Sequence, residues 1–458
     1  MADRTPLLRI NDLRVGFDLP EGRLVAVDGV SFQIQRGATV ALVGESGSGK
    51  SVISQTIMGL LPRSAKVFGG SVLFADPNKP GTITDIVRLS PNGAEMRSLR
   101  GGRISIIFQE PMTSLSPLHT IGNQIREALT LHRNVSGREA DELTAEMLRL
   151  VGFPDPQRAL RTYPFELSGG LRQRAMISMA LICRPALLIA DEPTTALDVT
   201  IQAQILKLIR DLQQELQMAV LMITHDLGVV ANVADEVVVM YRGRVMESGD
   251  VEDIYRNPQH PYLKALMGAV PRFNMPPGER LKPIREIEPR TGHLLADDGR
   301  DQSAVGVEDK PILELSGLSK TFTIRKSGLV GKVRNQVQAL DDVGFTIQRG
   351  ECLGLVGESG CGKTTLSKVV MRALGADSGS VTYRDEDGEV DVLALQSQKL
   401  IDFRRKIQFV FQDPFSSLNP RMTVFDLISE PLVIHKIGDA AYRREMVSEL
   451  MGLVGLDI

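Results

Sequence analysis

The sequence predicts an α/β fold that occurs twice in tandem, and three observations lead to this prediction. First, short continuous apolar runs suited to buried parallel strands recur along the chain. They are TVALV at 39–43, LLIAD at 187–191, AVLMIT at 219–224 and CLGLV at 352–356. Second, Ile53, Ile57 and Leu60 fall on one face of a helix shortly after the first run. Third, whole segments recur at a nearly constant offset, which indicates a duplicated domain.

The repeat is visible in two pairs of segments. VDGVSFQIQRG ends at Gly37 and LDDVGFTIQRG ends at Gly350, 313 residues later. Gln109 in ISIIFQEPMTSLSP and Gln412 in IQFVFQDPFSSLNP are 303 residues apart. Two homologous halves therefore exist, and the first has about ten additional residues between the two segments.

The repeat predicts a first domain over 1–270, a linker over 271–310 and the N-terminal part of a second domain over 311–458. The linker is rich in proline and charge and has no sustained periodicity. The 303-residue offset places the counterpart of Leu167 near residue 470. We therefore expect the second domain to be truncated, by about 115 residues.

Composition excludes several classes of protein. The 458 residues include 53 Lys and Arg against 56 Asp and Glu, so a general attraction to nucleic acid or anionic lipid is not supported. A hydrophobic fraction of 43% excludes intrinsic disorder of the whole chain. The scattered Cys183, Cys352 and Cys361 suggest neither a disulfide framework nor a metal cluster, and they fit a reducing cytoplasm. No apolar run approaches the ~20 residues that span a bilayer, so any membrane role must come through a partner.

Two glycine-rich segments match the phosphate-binding pattern G-x-x-x-x-G-K-[ST]. Each follows an apolar run, and glycines let the backbone close so that N–H groups face an anion. We expect Lys50 and Lys363 to reach the β- and γ-phosphates, and Ser51 and Thr364 to hold Mg²⁺. The predicted nucleotide-binding residues are Gly44, Ser46, Gly47, Ser48, Gly49, Lys50 and Ser51, and Gly357, Ser359, Gly360, Cys361, Gly362, Lys363, Thr364 and Thr365. We interpret Cys361 as a small residue in place of Ser48, with an unusually acidic thiol as the alternative.

Acidic and imidazole side chains follow two of the predicted strands. Asp191 and Glu192 end LLIADE, and His225 follows AVLMIT. In a P-loop enzyme the first acid holds Mg²⁺ and the adjacent acid can polarise the attacking water. Ligands of open α/β sheets bind at the carboxyl ends of the strands, which favours a γ-phosphate contact for His225.

These residues together resemble the ATP-binding cassette (ABC) family. LSGGLRQR at 167–174 is similar to the family's signature sequence, and DEPTTALD at 191–198 to its Walker B and D-loop segments. Gln109 and Gln412 match the Q-loop, and His225 matches the switch histidine. The resemblance implies two nucleotide-binding domains in tandem, each with a helical subdomain, the second one truncated.

The resemblance also implies the cofactors ATP and Mg²⁺ and assigns roles to residues. Glu192, His225 and Gln109 are the expected catalytic residues. The implied metal ligands are Ser51, Gln109, Asp191, Thr364 and Gln412, and Gln412 also counts among the nucleotide-binding residues. Phe17 and Phe322 are expected to stack on adenine. Ser168, Gly169 and Gly170 are expected to bind the ATP of the other cassette, although Leu171 stands where the family usually has Gln or Glu.

Family mechanism implies a head-to-tail pair of cassettes with two ATP molecules between them. The site on Lys50 has its own acids and histidine but no second signature in this sequence. The site on Lys363 can use the signature at Ser168–Gly170 but lacks its own catalytic acids. We therefore expect neither intramolecular site to be complete within these 458 residues.

Three sequence segments narrow the resemblance to the dipeptide, oligopeptide and nickel importer ATPases. Two such halves on one chain resemble the fused ATPases of glutathione- or microcin C-type peptide importers. The segments are FQEPMTSLSPLHTIGNQI, FQDPFSSLNPRMTV and RNPQHPYLKALMGAVPR. An energy-coupling ATPase is implied, peripheral on the cytoplasmic face of the plasma (inner) membrane. Its implied partners are two integral membrane permease subunits and, indirectly, an extracytoplasmic solute-binding protein. We predict no nucleic-acid partner, and no iron–sulfur cluster because no cysteine cluster follows residue 271.

Two other functions stay open. A truncated nucleotide-binding chain would bind ATP and hydrolyse little of it. A soluble twin-cassette ATPase would act on ribosomes or nucleic acid, but such relatives usually carry a long basic helical insert, whereas the segment 271–310 is short and slightly acidic. The transported solute is not predicted.

Overall fold

The structure is a computed structural model that describes residues 6–20, 22–109, 114–194, 198–270, 310–326, 333–358, 360–411 and 417–456, with 275, 276, 281, 292 and 294. It divides into two compact units, Met1–Ile284 and Arg285–Ile458. The predicted linker at 271–310 lies almost entirely outside the described residues. The domain boundaries at 270 and 311 therefore stay a prediction.

The first unit contains strands and helices in alternation. Its strands are β1 (Leu8–Leu19), β2 (Gly22–Ile34), β3 (Thr39–Val43), β4 (Ala65–Ala75), β5 (Ile83–Asp85), β6 (Ile104–Ile107), β7 (Leu187–Asp191), β8 (Ala219–Thr224), β9 (Glu236–Tyr241) and β10 (Arg244–Asp250). Its helices are α1 (Lys50–Ile57), α2 (Ala94–Leu99), α3 (Ile121–His132), α4 (Gly137–Leu150), α5 (Pro156–Ala159), α6 (Gly169–Leu181), α7 (Val199–Leu216), α8 (Leu227–Val233), α9 (Val251–Arg256) and α10 (Pro261–Gly268).

The central sheet of this unit has the strand order β10-β9-β3-β8-β7-β6. Its strands pair in parallel from β9 to β6, and β10 adds an antiparallel edge. Every residue of β3, β7 and β8 is buried, as expected for strands covered on both faces. The three strands predicted from apolar runs in the first half are therefore confirmed. Their carboxyl ends lie along one edge of the sheet.

A second, antiparallel sheet has the order β2-β1-β4-β5. Leu13 and Val15 of β1 are buried, while Arg14 between them is exposed, so this sheet has one face in the core. The core beneath it also includes Ile53 and Ile57 of α1. Helix α1 is thereby held against both sheets.

The helices between β6 and β7 surround a separate apolar cluster. Helix α4 begins with a capping box, in which the side chains of Ser136 and Glu139 each accept a hydrogen bond from the other's backbone N–H. Met147 of this helix is buried, and Leu143 and Leu150 pack against the cluster. Among the described residues no helix is long and apolar enough to cross a bilayer.

The described part of the second unit repeats the antiparallel sheet. Its strands are β11 (Leu313–Lys326), β12 (Val333–Ile347), β13 (Ser378–Asp385) and β14 (Gly388–Asp391), and its helices are α11 (Lys363–Val370), α12 (Ser397–Lys406), α13 (Val424–Ile434) and α14 (Ala440–Leu453). The strand order β12-β11-β13-β14 matches the order β2-β1-β4-β5 of the first unit. The duplication seen in the sequence thus has a structural counterpart in this sheet.

One predicted strand is wrong. Residues 352–356 form no strand, and Leu353, Leu355 and Val356 are 42%, 47% and 89% exposed. In the first unit the matching strand β3 is paired on both sides, by β8 and β9. Among the described residues of the second unit no strand lies beside 352–356, so its backbone groups have no ladder to join.

Because β8 lies at the centre of the first unit, truncation of its fully buried Leu221 should destabilise that unit strongly. We expect Leu221→Ala to lower the free energy of unfolding of this unit by about 2–5 kcal/mol, because the change removes apolar contacts and leaves a cavity. Urea denaturation of the intact chain measures the difference.

The matched control is Leu118→Ala, the same chemical change at a side chain that is 81% exposed. It should alter the free energy of unfolding by no more than about 0.5 kcal/mol. Equal effects of the two substitutions would contradict the position of Leu221 in the core.

Candidate functional site

The first glycine-rich loop connects β3 to α1 and depends on two close backbone contacts. A Cβ atom on Gly44, whose φ is 153°, would lie 2.2 Å from the carbonyl oxygen of Met240. A Cβ atom on Gly49, whose φ is 101°, would lie 2.5 Å from the carbonyl oxygen of Ala26. Side chains are therefore excluded at both positions, and the loop is held against neighbouring backbone.

Lys50 is the first residue of α1 and reaches back across this loop. Its ammonium group donates to the carbonyl oxygens of Gly44 and Glu45, both at 2.8 Å. The residue is only 6% exposed. Burial lowers the pKa of Lys50, against the opposing effects of Glu192, Asp191 and Glu45. A buried cation at the N-terminus of a helix is suited to an anionic ligand.

Asp191 ends β7 beside the same helix. Its carboxylate accepts hydrogen bonds from the hydroxyls of Ser51 and Ser54, the latter at 3.4 Å. Burial raises the pKa of Asp191, and the neighbouring Glu192 raises it further, while both hydroxyls and Lys50 lower it. Carboxylate and hydroxyl oxygens are the donors that Mg²⁺ prefers, and a cation would offset the unfavourable burial of the charge. The donor set therefore fits Mg²⁺.

Glu192 lies between two other predicted catalytic residues. Its Oε2 accepts a hydrogen bond from Nε2 of Gln109 at 2.7 Å, and its Oε1 lies 3.0 Å from Nδ1 of His225. Its backbone has a φ of 48°, which is uncommon for a residue with a side chain, and its N–H donates to the carbonyl oxygen of Ile223. The loops after β6, β7 and β8 thus bring three side chains of widely separated sequence position into contact.

The signature segment begins α6. Ser168 is the N-cap of this helix, and its hydroxyl accepts a hydrogen bond from the N–H of Leu171 at 3.4 Å. Ser168 and Gly169 are exposed, and Gly170 faces Ile201, whose methyl group would lie 3.2 Å from an added Cβ. The contacts of Ser168 that the structure describes are with its own helix, so its role towards a second nucleotide stays a prediction.

The second glycine-rich loop has the same internal hydrogen bonds. Lys363 donates to the carbonyl oxygens of Gly357 and Glu358 at 2.6 and 2.7 Å, and its Nζ lies 3.5 Å from Sγ of Cys361. Thr364 and Thr365 follow in the first turn of α11. The predicted residues Ser359 and Gln412 lie outside the described residues.

The two predicted adenine-stacking residues lie in strands of the antiparallel sheets. Phe17 is half-buried in β1 and pairs with Leu24, and Phe322 is 38% exposed in β11 and pairs with Val337. The described contacts do not join either ring to its glycine-rich loop. Their role therefore stays a prediction.

Sequence reasoning missed Tyr262, which contacts the first glycine-rich loop. The N–H of Glu45 donates to the Tyr262 hydroxyl at 3.3 Å, across 217 residues of sequence. The segment around Tyr262 was used only as a mark of resemblance, and neither periodicity nor motif spacing signals a contact of this range. The signal in the sequence was its identity as a tyrosine, whose hydroxyl usually finds a hydrogen-bond partner when the ring is buried.

A parallel sheet that carries a glycine-rich phosphate loop, with acids at the end of an adjacent strand, defines a P-loop nucleotide-binding protein. The chain belongs to the ABC transporter family, whose sequence profile matches residues 27–195 and 340–457. A second profile, described as the C-terminal region of oligopeptide/dipeptide transporters, matches residues 246–297. The family resemblance inferred from the motifs is confirmed.

Among its relatives is the glutathione import ATP-binding protein GsiA of Escherichia coli (strain K12), which is 44% identical over 459 residues. The match covers 99% of this chain and 72% of that protein. GsiA of Shigella boydii serotype 4 (strain Sb227) gives the same figures. GsiA of Salmonella paratyphi A (strain ATCC 9150 / SARB42) is 44% identical over 456 residues, covering 99% and 71%.

The buried charge of Asp191 predicts a stability change that depends on pH. Because its pKa is raised, the native state binds this proton more tightly than the unfolded chain does, so ionisation destabilises the native state. We expect Asp191→Asn, without Mg²⁺ or nucleotide, to have a higher Tm than the wild type at pH 7. This difference in Tm should disappear as the pH falls towards 3.8, the ordinary pKa of an aspartate, because the wild-type carboxyl is then protonated and, like the asparagine, uncharged. Thermal unfolding over a pH series measures it.

Asp211→Asn is the control for this experiment, because it makes the same change at an exposed position of α7. It should leave the Tm unchanged at both ends of the pH series. A lower Tm for Asp191→Asn at pH 7 would show that the surrounding hydrogen bonds and Lys50 outweigh burial.

Proposed function

We propose that this chain is the ATP-hydrolysing, energy-coupling subunit of a membrane importer for peptides or related small solutes. The observation that carries the proposal is the position of Glu192, held between Gln109 and His225 next to the Lys50 loop. Membership of the ABC transporter family supports ATP as the nucleotide.

The glycine-rich loop and Lys50 would bind the ATP phosphates. Backbone N–H groups at the start of α1 and the buried ammonium both favour negative charge. Ser51 and Asp191, with Gln109, would hold Mg²⁺, which neutralises charge on the β- and γ-phosphate oxygens. The corresponding roles in the second half fall to Lys363 and Thr364, and to Gln412.

Hydrolysis forms a bond between a water oxygen and the γ-phosphorus and breaks the bond from that phosphorus to the bridging oxygen, leaving ADP and inorganic phosphate. Glu192 would accept the proton of the attacking water, and its contacts with Gln109 and His225, which orient its carboxylate, support this role. His225 is 61% exposed in its side chain, so it can also contact the γ-phosphate. The protein acts mainly by positioning and electrostatics.

The tandem arrangement is also part of the proposal. A nucleotide-binding domain would span 1–270, a linker 271–310, and a second nucleotide-binding domain would begin at 311. The two glycine-rich loops and the repeated antiparallel sheet support it. Ser168, Gly169 and Gly170 would offer their N–H groups to the γ-phosphate of an ATP bound by a second cassette, and Phe17 and Phe322 would stack on adenine.

The importer would be completed by other subunits. Two integral membrane permease subunits would receive the motion driven by ATP, and an extracytoplasmic solute-binding protein would deliver the solute. The chain would lie on the cytoplasmic face of the plasma membrane as a peripheral subunit. The match of 246–297 to the oligopeptide/dipeptide transporter region and the glutathione import relatives support a peptide-like solute.

The assigned role of Glu192 is tested by Glu192→Gln. We expect kcat for ATP hydrolysis to fall about 10²–10⁴-fold with little change in KM, because the proton acceptor is lost while the phosphate loop is intact. Steady-state ATPase assays of the intact chain measure both constants. Glu215→Gln, at an exposed position of α7, is the control and should change neither.

The import role is tested in cells that carry the same two substitutions at the native gene. Uptake of radiolabelled glutathione and of short peptides should be lost with Glu192→Gln and retained with Glu215→Gln. Loss of ATPase activity without any change in uptake would overturn the importer proposal while leaving the ATPase intact.

A further inference from the structure

The end of β9 and the chain that follows it contact the first glycine-rich loop. The N–H of Gly243, in the turn between β9 and β10, donates to the carbonyl oxygen of Ser48 at 3.1 Å. The carbonyl oxygen of Met240 lies where a side chain on Gly44 would begin. A third contact comes from Tyr262 in α10, within the region matched by the oligopeptide/dipeptide transporter profile.

The Tyr262 hydroxyl has two hydrogen bonds to one residue of the loop. It accepts from the N–H of Glu45 at 3.3 Å, and it bonds to the Glu45 carboxylate. The residue is 8% exposed, and its ring lies 4.4 Å from that of Tyr241. Burial raises the pKa of Tyr262, so the hydroxyl keeps the proton that it donates to the carboxylate.

The position of Tyr262 is set by the segment that carries it. The carboxylate of Glu247 accepts hydrogen bonds from the N–H groups of Gln259 and His260, at 2.9 and 2.8 Å. The His260 side chain then caps α10 by accepting from the N–H of Tyr262 at 3.1 Å. These contacts tie the start of α10 to β10, so the tyrosine approaches the loop from a fixed direction.

Comparison with the second glycine-rich loop shows which hydrogen bonds the motif forms by itself and which one Tyr262 adds. Lys363 donates to the carbonyl oxygen of Gly357 as Lys50 donates to that of Gly44, so this bond forms without a tyrosine. In the first loop the same peptide group, between Gly44 and Glu45, is also held through the N–H of Glu45, which donates to Tyr262. Its carbonyl oxygen and its N–H are therefore both held.

We infer that Tyr262 is a positioning residue for the phosphate-binding loop, which it holds, through Glu45, in the shape that receives the nucleotide phosphates. The inference rests on the proposed function, in which this loop binds ATP. A loop ordered before binding does not lose that conformational freedom when the ligand arrives, so affinity is higher. The C-terminal segment of the first unit thereby becomes part of the nucleotide site.

Tyr262→Phe tests the inference, because it removes the hydroxyl and retains the buried ring. The experiment uses the intact chain with Lys363→Ala, so that the first loop dominates binding, and titrates Mg²⁺ with a non-hydrolysable ATP analogue. We expect the Kd to rise about three- to tenfold, the effect of losing hydrogen bonds of ordinary strength. KM should rise by a similar factor, while kcat at saturating ATP changes less than about twofold.

Tyr255→Phe is the matched control. It also removes the hydroxyl of a tyrosine in the C-terminal segment, here a half-buried one, but that hydroxyl donates to the carbonyl oxygen of Leu227 and not to the loop. Its Tm should fall while its Kd for the analogue stays within about twofold of the parent. This control separates a loss of stability from a loss of loop positioning.

A second variant, Glu45→Ala, removes the loop's carboxylate from the same contact. Combined with Tyr262→Phe, it should weaken binding less than the product of the two single effects, because both changes act on one contact. Independent effects, or a Kd for Tyr262→Phe within about twofold of the parent, would overturn the inference. If Lys50→Ala also left binding unchanged, the proposed ATP site itself would be wrong, which distinguishes the two failures.

Discussion

The site depends on the pairing of β3 with β8 on one side and β9 on the other. This ladder buries all five residues of β3 and aligns the carboxyl ends of three strands at one edge of the sheet. The phosphate loop, the acids at the end of β7 and His225 meet there only because those strands are in register. The segment 352–356 shows the same constraint, since no strand among the described residues of its unit lies beside it, its apolar residues are exposed, and it forms no strand.

This edge of the sheet carries two charged groups, Lys50 and Asp191, whose burial disfavours their charged forms. Burial lowers the pKa of Lys50 and raises that of Asp191, so each group resists its own ionisation. Their mutual attraction opposes both effects but does not remove them. A ligand that brings phosphates to the lysine and a cation to the carboxylate would relieve both at once. Under the proposed function, the site would therefore favour a metal–nucleotide complex over either component alone.

Local patterns were enough to predict the buried strands of the first half, the two glycine-rich loops and the positions of Glu192 and His225 after two of those strands. Each is encoded by a short apolar run followed by a motif, and parallel strands bring their ends together. The same pattern failed at 352–356, because an apolar run specifies a tendency and not the neighbours that complete a ladder. The contact of Tyr262 with Glu45 was not predictable for a related reason. It joins two residues that are 217 positions apart in the sequence, through a side chain and a backbone group, and hydrophobic periodicity does not predict a contact of this kind.

Comparison of the two glycine-rich loops shows how the local and the long-range contributions divide. The φ angles are 153°, 77° and 101° at Gly44, Gly47 and Gly49, and 157°, 85° and 104° at Gly357, Gly360 and Gly362. The motif therefore sets the φ angles of its glycines in both loops, together with the bonds from Lys50 and Lys363 to carbonyl oxygens of their own loops. What surrounds the loop differs, because only in the first unit do the described contacts include Asp191, Glu192 and Tyr262 around it. The glycine conformations of the phosphate loop are local, whereas the contact that holds the loop and the side chains that supply its chemistry come from strands and a helix more than a hundred residues away.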